Sequence, residues 1–181
     1  MSGYHIKDES ASYFLTFTVV GWIDIFSRQV YRDLIIDSFE YARKKKGLLL
    51  YAYVIMTNHI HLLAQAKEDY KLSAIVRDFK KFTSKKVYEL LDNSEESRRE
   101  WMKTIFLKAG ALNKDNKTFQ LWKQDNHPVA VYSDYVINQK IEYIHNNPVK
   151  AGFVSNPEDW TYSSARNYSD LDYVLEIDFV K

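Results

Sequence analysis

Two histidines lie two residues apart in Asn58-His59-Ile60-His61-Leu62-Leu63, inside a run of strand-forming residues. On a strand, period two puts His59, His61, Leu63 and Gln65 on one face and Ile60, Leu62 and Ala64 on the other. Two imidazoles held that way can share one divalent ion, and a strand within a sheet supplies the rigidity such a site needs. The same spacing also fits a pair of half-buried histidines satisfied by neighbouring groups, which is the commoner outcome for an arbitrary His-x-His. The chain has no Cys, which excludes thiolate zinc sites, thiol nucleophiles and disulfide scaffolds. A catalytic zinc would need a third ligand from elsewhere. Amide, carboxylate and water ligands beside two His suit Mg²⁺ or Mn²⁺ at least as well.

A second group lies in Ile141-Glu142-Tyr143-Ile144-His145-Asn146-Asn147-Pro148. At ~100° per residue, Ile137, Ile141 and Ile144 form a core stripe, and Val136, Lys140, Tyr143 and Asn147 a neighbouring one. Tyr143 and Asn147 stand one turn apart, although Asn147 precedes a proline and so sits at a fraying end. By spacing alone, a tyrosine there is most simply a boundary aromatic with its hydroxyl in water. With 14 Tyr in the chain, composition singles out none of them.

The third group is a basic helix face. Between residues 71 and 86, Lys71, Arg77, Lys80, Lys81, Lys85 and Lys86 oppose only Asp78, a local net charge of +5. Such a face can follow a nucleic-acid backbone while aromatics stack on bases, or it can simply be solvated. Lys71, Arg77, Lys80, Lys81 and Lys85, with Lys123 after Trp122, are the candidate DNA contacts.

These groups need a scaffold. Tyr13 to Gly21 is β-branched and aromatic and reads as a strand. Helical spacing of Val30, Tyr31, Leu34, Ile35, Phe39 and Ala42 predicts a helix from Arg28 to Lys46, closed by Gly47. Leu48–Met56 and His59–Gln65 are strands joined by a short turn, hence antiparallel. A second amphipathic helix is expected from Lys71 to Leu91, a polar insertion with a short helix over 92–117, and a fourth strand over Thr118–Lys123. A further helix begins at Ser133 or Asp134 and is stopped by Pro148, and from about residue 155 the chain reads as irregular. This order predicts an α+β fold, a ferredoxin-like βαββαβ antiparallel sheet with an additional C-terminal helix carrying Tyr143. Helices should cover one sheet face and leave the other for a site.

The 181 residues suit one domain, expected to span 1–181, and five Gly with three Pro leave no room for a linker between two. Hydrophobic residues make up 46%, enough for a core and against wholesale disorder. The 25 Lys+Arg nearly cancel the 24 Asp+Glu, so any nucleic-acid role must rest on local patches. No apolar run approaches the ~20 residues that span a bilayer, and the N-terminal residues lack a signal-peptide pattern. A soluble, cytoplasmic protein with no membrane partner is the expectation.

Taken together, Val54-Ile55-Met56-Thr57-Asn58-His59-Ile60-His61 and Tyr143-Ile144-His145-Asn146-Asn147-Pro148-Val149-Lys150-Ala151-Gly152 resemble the single-tyrosine HUH transposases. The closest branch is the REP-associated tyrosine transposases and their insertion-sequence relatives. The resemblance runs from the first strand to Trp160-Thr161-Tyr162-Ser163-Ser164. It implies that His59 and His61 bind the metal, that Asn147 completes the metal site, and that Tyr143 is the nucleophile. It also implies a metal-dependent single-stranded DNA endonuclease and strand transferase that works through a 5′-phosphotyrosine on hairpin-bearing DNA, as monomer or homodimer. The alternative is a non-catalytic module recognising hairpin repeats on the same fold. A hydrolase using water is a third option, distinguished by forming no covalent adduct.

Overall fold

The computed structural model describes residues 6–93, 96–113 and 118–180. The extreme N-terminus and parts of the 92–117 insertion therefore lie outside the described residues. Four strands form one antiparallel sheet: β1 (Ser12–Thr18), β2 (Leu48–Ile55), β3 (His59–Ala66) and β4 (Val129–Val131), in the order β2-β3-β1-β4. This is the strand order of a ferredoxin-like sheet, with β3 and β1 at its centre. Their register sets Thr16 opposite His61 and Thr18 opposite His59.

Helices α1 (Gln29–Lys46) and α2 (Leu72–Asn93) cover one face. Leu15, Phe17, Tyr53, Ile60 and Leu62 point into that layer and meet Ile35, Phe39 and Phe79. Alternation sends Phe14, Ala52, Val54 and Leu63 to the opposite face, where Ile137, Ile141 and Ile144 of α4 (Asp134–His145) pack. The second face is thus not left open, because α4 spreads its isoleucine stripe across part of it. Ser133 caps α4 by accepting a hydrogen bond from the Val136 N–H. At the end of α1, Gly47 takes φ 70°, and a Cβ there would fall 2.4 Å from the Tyr70 ring, so only glycine fits.

Three expectations need correction. The fourth strand is Val129–Val131, not Thr118–Lys123. The latter run makes only an isolated bridge, Trp122 with Val19, because its aromatics are drawn beneath α2. There Trp122 is buried between Phe17 and Phe26 and donates its indole N–H to Thr83 at 2.9 Å. The sheet face expected to be open is partly covered by α4, while the insertion contains a short helix. This is α3 (Arg99–Ala111), whose Met102 and Phe106 are fully buried, with Phe106 against Phe119. Finally, Pro148 ends α4 but does not end helical structure. It occupies the first turn of a short helix, α5 (Asn147–Lys150), where its missing N–H costs nothing.

The C-terminal segment carries two short helical turns, Pro157–Asp159 and Ala165–Tyr168, and shields the outer edge of β2. Ile55 and Tyr53 bond to Tyr162 and Ser164, and Asp178 bonds to Leu50 through both backbone and carboxylate. An uncovered edge strand would be a template for unwanted pairing. Among the described residues no helix is long and apolar enough to cross a membrane.

Candidate active site

Strand β3 presents His59 and His61 side by side, ring centroids 4.8 Å apart. His61 is only 6% exposed. It stacks on Phe14 at 5.3 Å, and its Nδ1 lies 2.8 Å from the Thr16 hydroxyl on β1. The Nδ1 of His59 lies 2.7 Å from the side-chain oxygen of Asn58. Each ring is thus held through Nδ1, the arrangement by which outer partners orient metal-binding imidazoles and leave Nε2 for the cation. Burial lowers both imidazole pKa values. For His61, with His59 and Lys140 adding to the burial, the value falls to about 3. For His59 burial is partly opposed by its hydrogen bond with the Asn147 side chain. Both rings are therefore neutral at pH 7, the form that ligates metals.

Tyr143 reaches this pair from above. Its ring meets His61 edge-on at 5.3 Å and Phe14 at 5.7 Å, and the residue is 40% exposed. The α4 stripe therefore does what the periodicity required: isoleucines anchor the helix and Tyr143 faces the histidines. Asn147 is not a frayed end. It opens α5 directly after Asn146, and its side chain hydrogen-bonds His59. Lys150, also on α5, places its ammonium 5.4 Å from the centre of the Tyr143 ring, and Lys140 sits 4.8 Å over Phe14. His145 takes no part here. It is buried, bonded to Ser164 at 2.8 Å, and burial lowers its pKa to about 4.

The chemistry of this donor set fits a hard divalent cation. Among the described residues no group of three or more His, Cys, Asp or Glu is placed to hold a metal. Two neutral imidazoles and one amide leave further positions to water and substrate oxygens, which suits Mg²⁺ or Mn²⁺ better than a closed zinc centre.

Most of the cationic candidates lie elsewhere. Arg77, Lys80, Lys81, Lys85 and Lys123 line a groove of about 970 Å³ between α2 and the 118–128 segment, floored by Trp122, while Lys71 is exposed just before α2, outside it. The groove is on the α1/α2 side of the sheet, away from Tyr143. Arg77 pairs with Asp78, and Lys85 faces Glu89. Lys80 is the exception among the cations, because its ammonium is tied to the Lys123 carbonyl at 2.7 Å and to Asn126 at 2.5 Å.

Burial lowers the pKa of Lys80 to about 8. Below that value both folded and unfolded chains hold the proton. Between 8 and 10.5 only the unfolded chain does, so stability gained from losing the buried charge should rise with pH across that window. Lys80→Met removes this dependence. The stability of the wild type relative to Lys80→Met should therefore grow between pH 8 and pH 10 by on the order of 2 kcal/mol, measured by urea unfolding. A constant difference would place Lys80 in solvent.

Sequence reasoning missed three neighbours of the site. Thr16 and Phe14 are ordinary strand residues whose role depends on cross-strand register. The third, Trp22, follows Gly21 in the turn after β1, and its ring lies 6.4 Å from that of His59. A Gly-Trp pair closing a strand is the only local signal it offers.

A family model described as "Transposase IS200 like" matches residues 10–139, a span that contains β1, the histidine strand and the start of α4. Among solved structures, a REP-associated tyrosine transposase bound to a REP hairpin is 20% identical. The match covers 100% of this chain and 94% of that one, with a TM-score of 0.61. The two share a fold. A structure from Deinococcus radiodurans R1, named as a transposase candidate, is 18% identical over 81% of this chain and 97% of its own, with a TM-score of 0.42. No curated protein matches. With the family model covering well over half of its length, this chain belongs to the IS200-like transposases.

Proposed function

We propose that the protein is a metal-dependent single-stranded DNA endonuclease and strand transferase that acts through a phosphotyrosine on Tyr143. The observation carrying this reading is the meeting of His59 and His61 of β3, Tyr143 of α4 and Asn147 of α5 at one point on the sheet, from stretches about eighty residues apart. His59, His61 and Asn147 would hold Mg²⁺ or Mn²⁺. That ion, when bound, supplies positive charge at a non-bridging phosphate oxygen.

The remaining work falls to the chain. Packing of Tyr143 against Phe14 and His61 limits its rotamers, so attack needs little reordering. The Tyr143 oxygen forms a bond to phosphorus as the 3′ oxygen leaves, and the phenolic proton is given up in the process. The products are a 5′-phosphotyrosine and a 3′-hydroxyl. One phosphodiester replaces another, so the 3′-hydroxyl of a strand can later attack the link and rejoin DNA without an external energy source. Lys150, over the Tyr143 ring, would place a cation beside the developing phenolate.

DNA bearing a hairpin and a single-stranded flank is the proposed substrate, in keeping with the fold shared with the hairpin-bound transposase. The groove cations Arg77, Lys80, Lys81, Lys85 and Lys123, with Lys71 beyond it, would track the backbone. Charge reversal at Arg77, Lys81 and Lys85 should weaken binding by at least tenfold. It should also flatten the salt dependence of log K by about 2, at ~0.7 per phosphate contact on a single strand. An unaltered affinity and slope would move the DNA to another surface. Lys80 is left out of this variant because it braces the 123–126 loop. The nuclease reading itself is tested by incubating the protein with such DNA and Mn²⁺ and looking for a denaturant-resistant protein–DNA species. Tight binding with no such species would favour a non-catalytic hairpin reader.

A further inference from the structure

Four described residues other than glycine have positive φ: Trp22, Asp69, His127 and Asp170. Asp and His are among the types that visit this region readily, and a bulky Trp is not. Trp22, at φ 56°, follows Gly21 at φ 67°, so two consecutive left-handed residues turn the chain at the end of β1. The turn is held on every side. Val19 N–H bonds to Asn58 O, Val20 N–H to Leu121 O and Lys123 N–H to Thr18 O, while the Asn58 amide donates to Trp22 O. From beyond the sheet, Ile105 of α3 closes on Gly21, where a Cβ would lie 3.2 Å from its Cγ2.

This bracing does not bury the indole. Trp22 is 58% exposed, edge-on to the ring of His59, and the ammonium of Lys123 lies 4.1 Å from its centre. Strained backbone that the surroundings enforce is characteristic of functional positions. Here the strain holds a large aromatic in water beside the histidine pair. Lys123 also lines the basic groove, so the groove, Lys123, Trp22, His59, His61 and Tyr143 form one continuous track around the sheet.

We infer that Trp22 is a stacking platform for one unpaired nucleobase of the DNA flank next to the cleaved phosphate, with Lys123 contacting the phosphate beside it. The inference rests on the DNA-cleaving reading above and adds the residue that sets the strand's position between groove and site. Stacking is sequence-tolerant because every base has a π-face. Trp22 therefore fixes register along the strand more than base identity. The 92–117 insertion gains a role as well, since α3 supports the turn that presents the indole.

The test is equilibrium binding of a hairpin oligonucleotide whose single-stranded flank carries one abasic residue, moved position by position. The proteins are the wild type, Trp22→Ala and Trp22→Phe. The wild type should lose about tenfold in affinity at one flank position, the low end of what removing base–aromatic stacking costs. Trp22→Ala should lose the same factor on intact DNA and nothing more on that abasic DNA. Trp22→Phe should retain most of the affinity, and all three should share one melting temperature. An intact-DNA affinity for Trp22→Ala within twofold of wild type, or an abasic penalty undiminished in that variant, would overturn the proposal. Measuring binding in the Tyr143→Phe background without Mn²⁺ separates it from the nuclease reading. Coupling without any adduct in the parent protein would leave the platform standing and remove the enzyme, whereas adduct without coupling would remove the platform alone.

Discussion

Tyr143→Phe should abolish the covalent protein–DNA species and strand cleavage together while leaving DNA affinity within about twofold of wild type. The substitution removes one oxygen. The ring contacts with His61 and Phe14 and the Lys150 ammonium over the ring face all involve carbon atoms that phenylalanine keeps. Stability should change by no more than ~0.5 kcal/mol, as for most substitutions that break no buried contact. Added Mn²⁺ should not restore activity, because the missing atom is the one that bonds to phosphorus. A hydrolase using water would keep measurable cleavage in the variant. Peptide mapping of the wild-type adduct supplies an independent check: nucleotide should be found on Tyr143 and on none of the other 13 tyrosines. Adduct on Tyr135, one face away on the same helix and largely exposed, would reassign the nucleophile.

Loss of the histidine pair should be as complete for cleavage and should also be visible without DNA. In the wild type, Mn²⁺ at 100 times its dissociation constant should stabilise the fold by ~2.7 kcal/mol, read as a rise in melting temperature. His59→Ala with His61→Ala should show no such rise and no cleavage. The two positions differ in structural cost. His59 is the more accessible ring, so His59→Ala alone should melt close to wild type. His61 is buried, stacked on Phe14 and bonded to Thr16, so His61→Ala leaves a hydroxyl unpaired and should cost ~1–3 kcal/mol even with no metal present. Thr16→Val in the same background should recover part of that loss, because it removes the stranded hydroxyl. A Mn²⁺ response in the double variant equal to wild type would place the ion elsewhere.

The legible part of the site was the part governed by local period. Alternation along 59–65 set His59 and His61 on one face whatever that face met, and β3 does carry them together. The 3.6-residue period of 134–145 separated the isoleucine stripe from Tyr143, and α4 packs on that stripe. Gly47 marked the end of α1 because a left-handed cap is a property of a few adjacent residues. The candidate ligand Asn147 was read as a fraying end, since sequence spacing extends the axis of α4 and does not show that Pro148 begins a second helix.

What the sequence by itself determined is therefore β1 to β3, α1, α2 and α4, the side chains each displays on a given face, and the strand-helix order of a ferredoxin-like sheet. The tertiary structure decided how those faces meet. It chose Val129–Val131 over the more β-prone Thr118–Lys123 as the fourth strand, because burying Trp122, Phe119 and Leu121 beneath α2 removes more apolar surface from water than an edge pairing would. It put α4 on the sheet face that was expected to be open, set the basic groove on the opposite side, and bent the chain at Gly21 so that Trp22 and Lys123 lie between groove and histidines. The physical reason is one of range. Backbone dihedrals and side-chain alternation are settled within a few residues, whereas the choice among competing faces and edges depends on apolar area and hydrogen bonds summed over segments far apart in the chain.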